Sequence, residues 1–287
     1  MKKSVAFLLI AATVLTCGQL YAVFPKEQLN DKRYINIIII LDCSASMNKI
    51  IGPVRKTDIA RKVVETILNG MFQDSHDAGS MKSGLRVFGA KFFKRKQNCD
   101  DTSLEVALDD IEKTRPPILT KTSTITAKGQ SSLSLSIDAL KGDFPDENDK
   151  ANFIVVISDG DESCGGSPCD AVKQLVGDSR GVSVNTIGVE TDPAGYDNLN
   201  CMAQAGNGRY FDSKDVQDFV MFLKDANRTI QGNRRNMALK AEKEDTATIR
   251  MRDVTQSMTQ HKVEIATPLY PDRDERFAAI DTLRPED

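Results

Sequence analysis

The 287 residues carry 38 Lys and Arg against 41 Asp and Glu, a formal charge of −3, with 40% apolar and 28% charged side chains. This is the balance of a soluble globular protein and excludes a fibrous or wholly disordered chain. Nucleic acid is excluded as a partner by the lack of a basic excess, because phosphate binding is carried by clustered Lys and Arg.

Lys2 and Lys3 precede the apolar run Val5–Leu15, and small or polar residues follow to Ala22. The pattern reads as a secretory signal over residues 1–22, cleaved near Ala22. A retained anchor is disfavoured, because a spanning helix wants about 20 apolar residues. A lipid-modified Cys17 is disfavoured too, because Val14 and Leu15 are bulky where such a site wants small side chains. No later stretch is long and apolar enough to span a bilayer, so the mature chain is expected to be exported, periplasmic or secreted, and not membrane-spanning. Export permits disulfides.

Tyr34–Asp42 is an almost unbroken run of branched apolar residues ending in a carboxylate, the pattern of a strand buried on both faces of a parallel sheet. A helix is predicted next from Ile59, Val63, Val64, Ile67 and Leu68. Gly84–Gly89 and Ser103–Leu108 are two shorter strands, close enough for a hairpin at one sheet edge. Lys91–Lys96 is a basic run expected to be a solvated face, and Thr122–Thr126 a surface loop. Leu133, Ile137 and Leu140 mark a second helix, opened by Ser131 and Ser132. Asn152–Ser158 is another buried strand, closed by Asp159 and Gly160. Val172, Leu175 and Val176 give a helix, Val182–Val189 a third buried strand, Arg209–Phe211 a strand at the other edge, and Val216, Phe219, Val220 and Leu223 the last helix. Strands alternating with helices define an α/β, doubly wound, mostly parallel sheet with helices on both faces. It occupies residues 33–231. Residues 232–287 are densely and evenly charged. Weak alternation in Thr246–Arg252 and His261–Thr267 suggests a peripheral hairpin, with a flexible tail as the alternative.

The chemistry collects at the C-terminal ends of the strands, where ligands bind in such sheets. The first strand delivers Asp42, Ser44 and Ser46; another delivers Asp159; the loop before Leu133 offers Ser131. Two carboxylates and three hydroxyls suit a hard divalent cation. Magnesium fits best, with manganese or calcium as alternatives. Two carboxylates only neutralise such an ion, leaving it able to attract an acidic oxygen from outside. Asp161 and Glu162 read as solvated loop acids with a rim role open. Cys164 and Cys169 form a tight pair in a turn-rich stretch that a disulfide would pin. A zinc site there would need two further ligands, and His76 and His261 are far away in sequence. Cys43, at the end of a buried strand, is expected to be the free thiol.

Asp42-x-Ser44-x-Ser46, followed by Ser131 in a Gly129-Gln130-Ser131 loop and by Asp159, resembles the metal-ion-dependent adhesion site of von Willebrand factor A domains. The family carries threonine where this chain has Ser131. The resemblance runs from about Arg33 to Ile230 and implies the doubly wound fold and a Mg-dependent site that accepts a partner protein's carboxylate. Ile51–Lys62, Ser158–Cys169 and Asn200–Asp212 are similar to a bacterial exported subgroup likened to calcium-activated chloride channel regulators. That likeness implies bridges Cys164 to Cys169 and Cys99 to Cys201. The function it implies is capture of a protein partner, with no catalytic residues and no nucleotide cofactor.

Two alternatives stand beside it. A metal-dependent phosphohydrolase would need a second aspartate where Ser44 stands and a general base where no histidine lies nearby. A non-adhesive scaffold serving an envelope complex is the other; partnership with a cytosolic AAA+ ATPase is at odds with export. Nucleotide binding is disfavoured, because no strand is followed by a phosphate-binding glycine loop.

Overall fold

The computed structural model describes residues 34–75, 81–91, 99–144, 150–178 and 181–266. The signal at 1–22 with Cys17, His76, most of the basic run at 91–96 and the tail from 267 lie outside the described residues. Six strands form one sheet in the order β5-β4-β1-β6-β7-β8. They are β1 (Tyr34–Asp42), β4 (Met81–Phe88), β5 (Thr102–Asp110), β6 (Lys150–Ser158), β7 (Val182–Gly188) and β8 (Tyr210–Asp212). All neighbours pair in parallel except β4 with β5, which form the expected antiparallel edge. A two-residue hairpin, β2 (Ile50–Ile51) with β3 (Val54–Arg55), interrupts the crossover after β1. Its turn uses Gly52 at φ +58°, a left-handed conformation that glycine adopts without a Cβ penalty.

The alternation of side chains along β1 builds two cores from one strand. Ile35, Ile37, Ile39 and Leu41 pack with α1 (Lys56–Ser75), α2 (Ile111–Thr124) and the start of α6 (Val216–Ala266). Ile38 and Ile40 pack on the opposite face with α3 (Leu133–Asp138), α4 (Pro168–Asp178) and α5 (Pro193–Ala205). A strand apolar on both faces therefore sits at the sheet centre, flanked by β4 and β6, and its end is surrounded by other strand ends.

Three elements differ from the sequence reading. α2 covers Thr122–Thr124, expected as loop, because Pro116 and Pro117 inside it obscure the helical signal. Its last turn is laced by hydroxyl-to-carbonyl bonds from Thr122, Ser123 and Thr124. α5 starts at Asp192-Pro193, where the Asp192 carboxylate accepts the Gly195 N–H at 2.8 Å. Where a hairpin or tail was expected, α6 continues unbroken to Ala266. Ala, Lys, Glu, Arg and Met dominate residues 237–252, and their helix propensity outweighs the weak alternation.

The chain divides into two units, Met1–Asn233 and Arg234–Asp287. In the second, the described helical side chains from Asn236 to Ser257 are exposed, including Met237, Leu239, Ile249, Met251 and Val254. Among the described residues no helix is long and apolar enough to cross a membrane.

The disulfide pairing also differs. Cys99 joins Cys164 and Cys169 joins Cys201, with Cα separations of 5.5 and 5.6 Å. The implied pairs Cys164–Cys169 and Cys99–Cys201 are not formed. Cys169 belongs to the first turn of α4, which packs on α5 and so meets Cys201, whereas Cys164 stays in the preceding loop and meets Cys99. Cys43 is the free, buried cysteine among the described residues, and burial pushes its thiol pKa up.

Candidate metal centre

β1 and β6 are in register with Leu41 opposite Ile157, which sets Asp42 level with Ser158 and brings Asp159 just beyond the same edge. Asp42 is 1% exposed. One of its oxygens accepts the Ser44 N–H at 2.8 Å and the other the Ser158 hydroxyl at 2.6 Å. Ser44 and Ser46 share a hydrogen bond at 3.0 Å, and the Ser46 hydroxyl donates to Asp159 Oδ1 at 3.2 Å. Four of the five expected donors thus form one hydrogen-bonded chain: Asp42, Ser44, Ser46, Asp159.

Ser131 reaches the neighbourhood through main-chain contacts. The Ala45 N–H donates to the Gly129 carbonyl at 2.9 Å, and the Gly129 N–H to that of Gly89 at 2.7 Å. A Cβ on Gly129 would lie 2.9 Å from the Gly89 carbonyl, so glycine is what lets these loops close on one another. The buried Ser131 hydroxyl donates to the Asp161 carbonyl, and its N–H to the Ser163 hydroxyl at 2.8 Å. It is therefore tied to the loop after β6 and not to the carboxylates themselves.

Two residues that the motif spacing did not single out complete the centre. Ser158 holds Asp42; its position, level with Asp42 and one before Asp159, was the available signal. Lys56 donates to Asp159 Oδ2 at 3.0 Å, with side chains 8% and 3% exposed, and no periodicity marked it. Asp161 is not simply a solvated acid. It lines a cleft of about 600 Å³ with Ser46, Asn48, Lys49, Lys56, Asp159, Glu190 and Asp192. Burial, then the charges of Asp159 and Asp192, raise its carboxyl pKa. Glu162 acts elsewhere, accepting from the Ser134 N–H and hydroxyl and from the Cys164 N–H, and so staples the loop to the start of α3.

Burial, with the nearby Asp159 charge, pushes the Asp42 carboxyl up to about 7. The folded value exceeds the unfolded one, so the stability this group contributes is full below pH 3.8 and is lost as pH rises through about 7. In EDTA, stability is expected to fall from pH 5 to 8 more steeply in the wild type than in Asp42→Asn. Urea unfolding at both pH values checks this; equal slopes would refute it.

Asp159 is paired with the Lys56 ammonium, and among the described residues no such cation is paired with Asp42, so above about pH 7 the buried pair leaves an excess negative charge, which a divalent cation would offset. Among the described residues no three His, Cys, Asp or Glu side chains cluster to hold a metal, so any ion here must draw on hydroxyls as well. Ser44 and Ser46 lie beside the carboxylates and could offer them, and an all-oxygen set would suit magnesium better than zinc.

Fold and site together define a doubly wound α/β domain with an oxygen-rich cleft at its strand ends. Residues 36–228 match the von Willebrand factor type A domain, and the chain belongs to that family. It is 29% identical over 221 residues to the uncharacterized protein YwmC of Bacillus subtilis, covering 74% of this chain and 93% of that one. YwmD of the same organism is 27% identical over 216 residues, with the same coverage. Among solved structures, BatB from Bacteroides thetaiotaomicron superposes with a TM-score of 0.51 at 15% identity, over 68% of this chain and 99% of that one. The pilus adhesin SpaC from Lactobacillus rhamnosus GG gives 0.51 at 12% identity, over 69% of this chain and 30% of that one. Both share the fold.

Proposed function

We propose that this is an exported binding module, which captures a partner protein by seating an Asp or Glu of that partner on a magnesium ion held by Asp42, Ser44, Ser46, Ser131 and Asp159. The observation that carries the reading is the hydrogen-bonded series Asp42, Ser44, Ser46 and Asp159, which meets the cleft at Ser46 and Asp159. The ion would supply an electrophilic point for the incoming carboxylate. The chain's own residues do the rest: Asp42 and Asp159 set the charge, Ser158 and the Ser44 N–H fix the Asp42 rotamer, and the Cys99–Cys164 loop holds Ser131. Manganese or calcium could take the same place. Two disulfides fit an oxidising compartment and support export through residues 1–22. The subgroup likeness to calcium-activated chloride channel regulators belongs to this same reading.

A binding role is preferred to a phosphohydrolase because the described cleft lining offers neither a histidine nor a second aspartate at Ser44. Four carboxylates in that lining also disfavour nucleotides and nucleic acid. The test is affinity capture from an envelope extract in Mg²⁺, with elution by EDTA and an Asp42→Asn bait in parallel. Partners held only by the wild type and only with metal are expected. The same proteins retained by Asp42→Asn, or through EDTA, would overturn the proposal.

A further inference from the structure

Lys56 is an expensive cation. It is 6% exposed and opens α1, whose N-terminus already carries partial positive charge, so neither burial nor the helix dipole favours an ammonium there. Its partner is one of the two carboxylates of the proposed metal centre, at 3.0 Å, and its side chain lines the cleft. Each Asp159 oxygen has a separate role: Oδ2 accepts from Lys56, while Oδ1 accepts from Ser46 on the serine side.

We infer that Lys56 sets the charge of the centre, weakening its hold on the metal so that the loaded site is one charge more positive and draws a partner's carboxylate more strongly. The inference rests on the metal reading above. Asp42 and Asp159 alone would bring a divalent ion to neutrality, leaving only a vacant coordination position to attract an acid. With Lys56 on Asp159 the loaded centre is one charge more positive than those two carboxylates alone would leave it, which works against the negative charge of Asp161 in the same cleft. A unit charge acts strongly where Lys56 and Asp159 are buried. The cost falls on metal affinity, because the incoming ion meets one unit less of negative charge than it would without the lysine. Before loading, the ammonium stands in for the ion at Asp159 and keeps that carboxylate positioned.

Isothermal titration of Mg²⁺ into the full chain tests this with four proteins: wild type, Lys56→Met, Lys56→Arg and Asp42→Asn. Lys56→Met removes the charge while keeping an unbranched stem, and is expected to bind Mg²⁺ more tightly by on the order of tenfold. Lys56→Arg keeps the charge and should stay within about threefold of the wild type. Excess acetate, as a carboxylate probe, should tighten Mg²⁺ binding to the wild type more than to Lys56→Met. If Lys56→Met does not fold, Lys56→Gln and the Mg²⁺-induced rise in Tm give the same comparison. Neutral variants that bind no tighter than the wild type, or an arginine variant that shifts as far as the methionine one, would overturn the role of Lys56. Wild-type Mg²⁺ affinity in Asp42→Asn would instead overturn the metal site itself, so the two failures are distinguishable.

Discussion

Replacing Asp42 with asparagine is expected to lower magnesium affinity by on the order of a hundredfold or more while leaving the metal-free protein at least as stable as the wild type. The two effects have opposite causes in one side chain. Asp42 is almost completely buried, with Asp159 close enough to raise its pKa, so its charge is a burden on the metal-free fold. Asparagine keeps an oxygen for the Ser44 N–H and offers an amide to the Ser158 hydroxyl, which can accept as well as donate. Half of the negative charge that a divalent ion would need is nevertheless gone. Mg²⁺ calorimetry and urea unfolding in EDTA measure the two quantities independently. Unchanged Mg²⁺ affinity would show that Asp42 is no ligand. A loss of more than about 2 kcal/mol in EDTA would show that it is instead a structural group whose removal leaves buried partners unsatisfied.

The position of this acid at the end of a buried strand explains why the grouping of Asp42, Ser44, Ser46 and Asp159 was legible in the linear chain, whatever that grouping binds. A strand apolar on both faces sits in the middle of a parallel sheet, so whatever follows it arrives at the crowded carboxyl edge; that rule places Asp42, Ser44 and Ser46, and their spacing matches the family motif. Asp159 followed from the same rule applied to β6. Lys56 escaped because its role depends on tertiary approach: it precedes the apolar stripe of α1 and reaches a carboxylate 103 residues away. The disulfide pairing escaped for a related reason. Cys164 and Cys169 are close in sequence, but α4 begins between them, at Pro168, and the start of a helix turns its first residues toward whatever packs beside it. Periodicity also failed at both ends of the scale, in α2, where paired prolines mask a helix, and in α6, where helix-forming side chains carry no clear stripe.

Those two cross-links give the second large expected effect. Closing loops of 65 and 32 residues, each bridge restricts the unfolded chain by about 4 kcal/mol in the entropy model. The double variants Cys99→Ser with Cys164→Ser, and Cys169→Ser with Cys201→Ser, should therefore lose comparable stability, with Tm falling by roughly 8–16 °C in each. Their effects on the metal centre should part company. Cys164 ends the loop that carries the Asp161 carbonyl and the Ser163 hydroxyl, the two groups that hold Ser131, whereas Cys169 and Cys201 join two helices on the far side of that loop in sequence. The first variant should lose Mg²⁺ affinity severalfold and the second should keep it, measured by calorimetry at a temperature where both remain folded. The Glu162 contacts to Ser134 and Cys164 would preserve part of the loop, which is why a partial and not a complete loss is expected. Equal Mg²⁺ affinities in the two variants would show that this staple alone positions Ser131 and that the Cys99–Cys164 bridge serves the fold only.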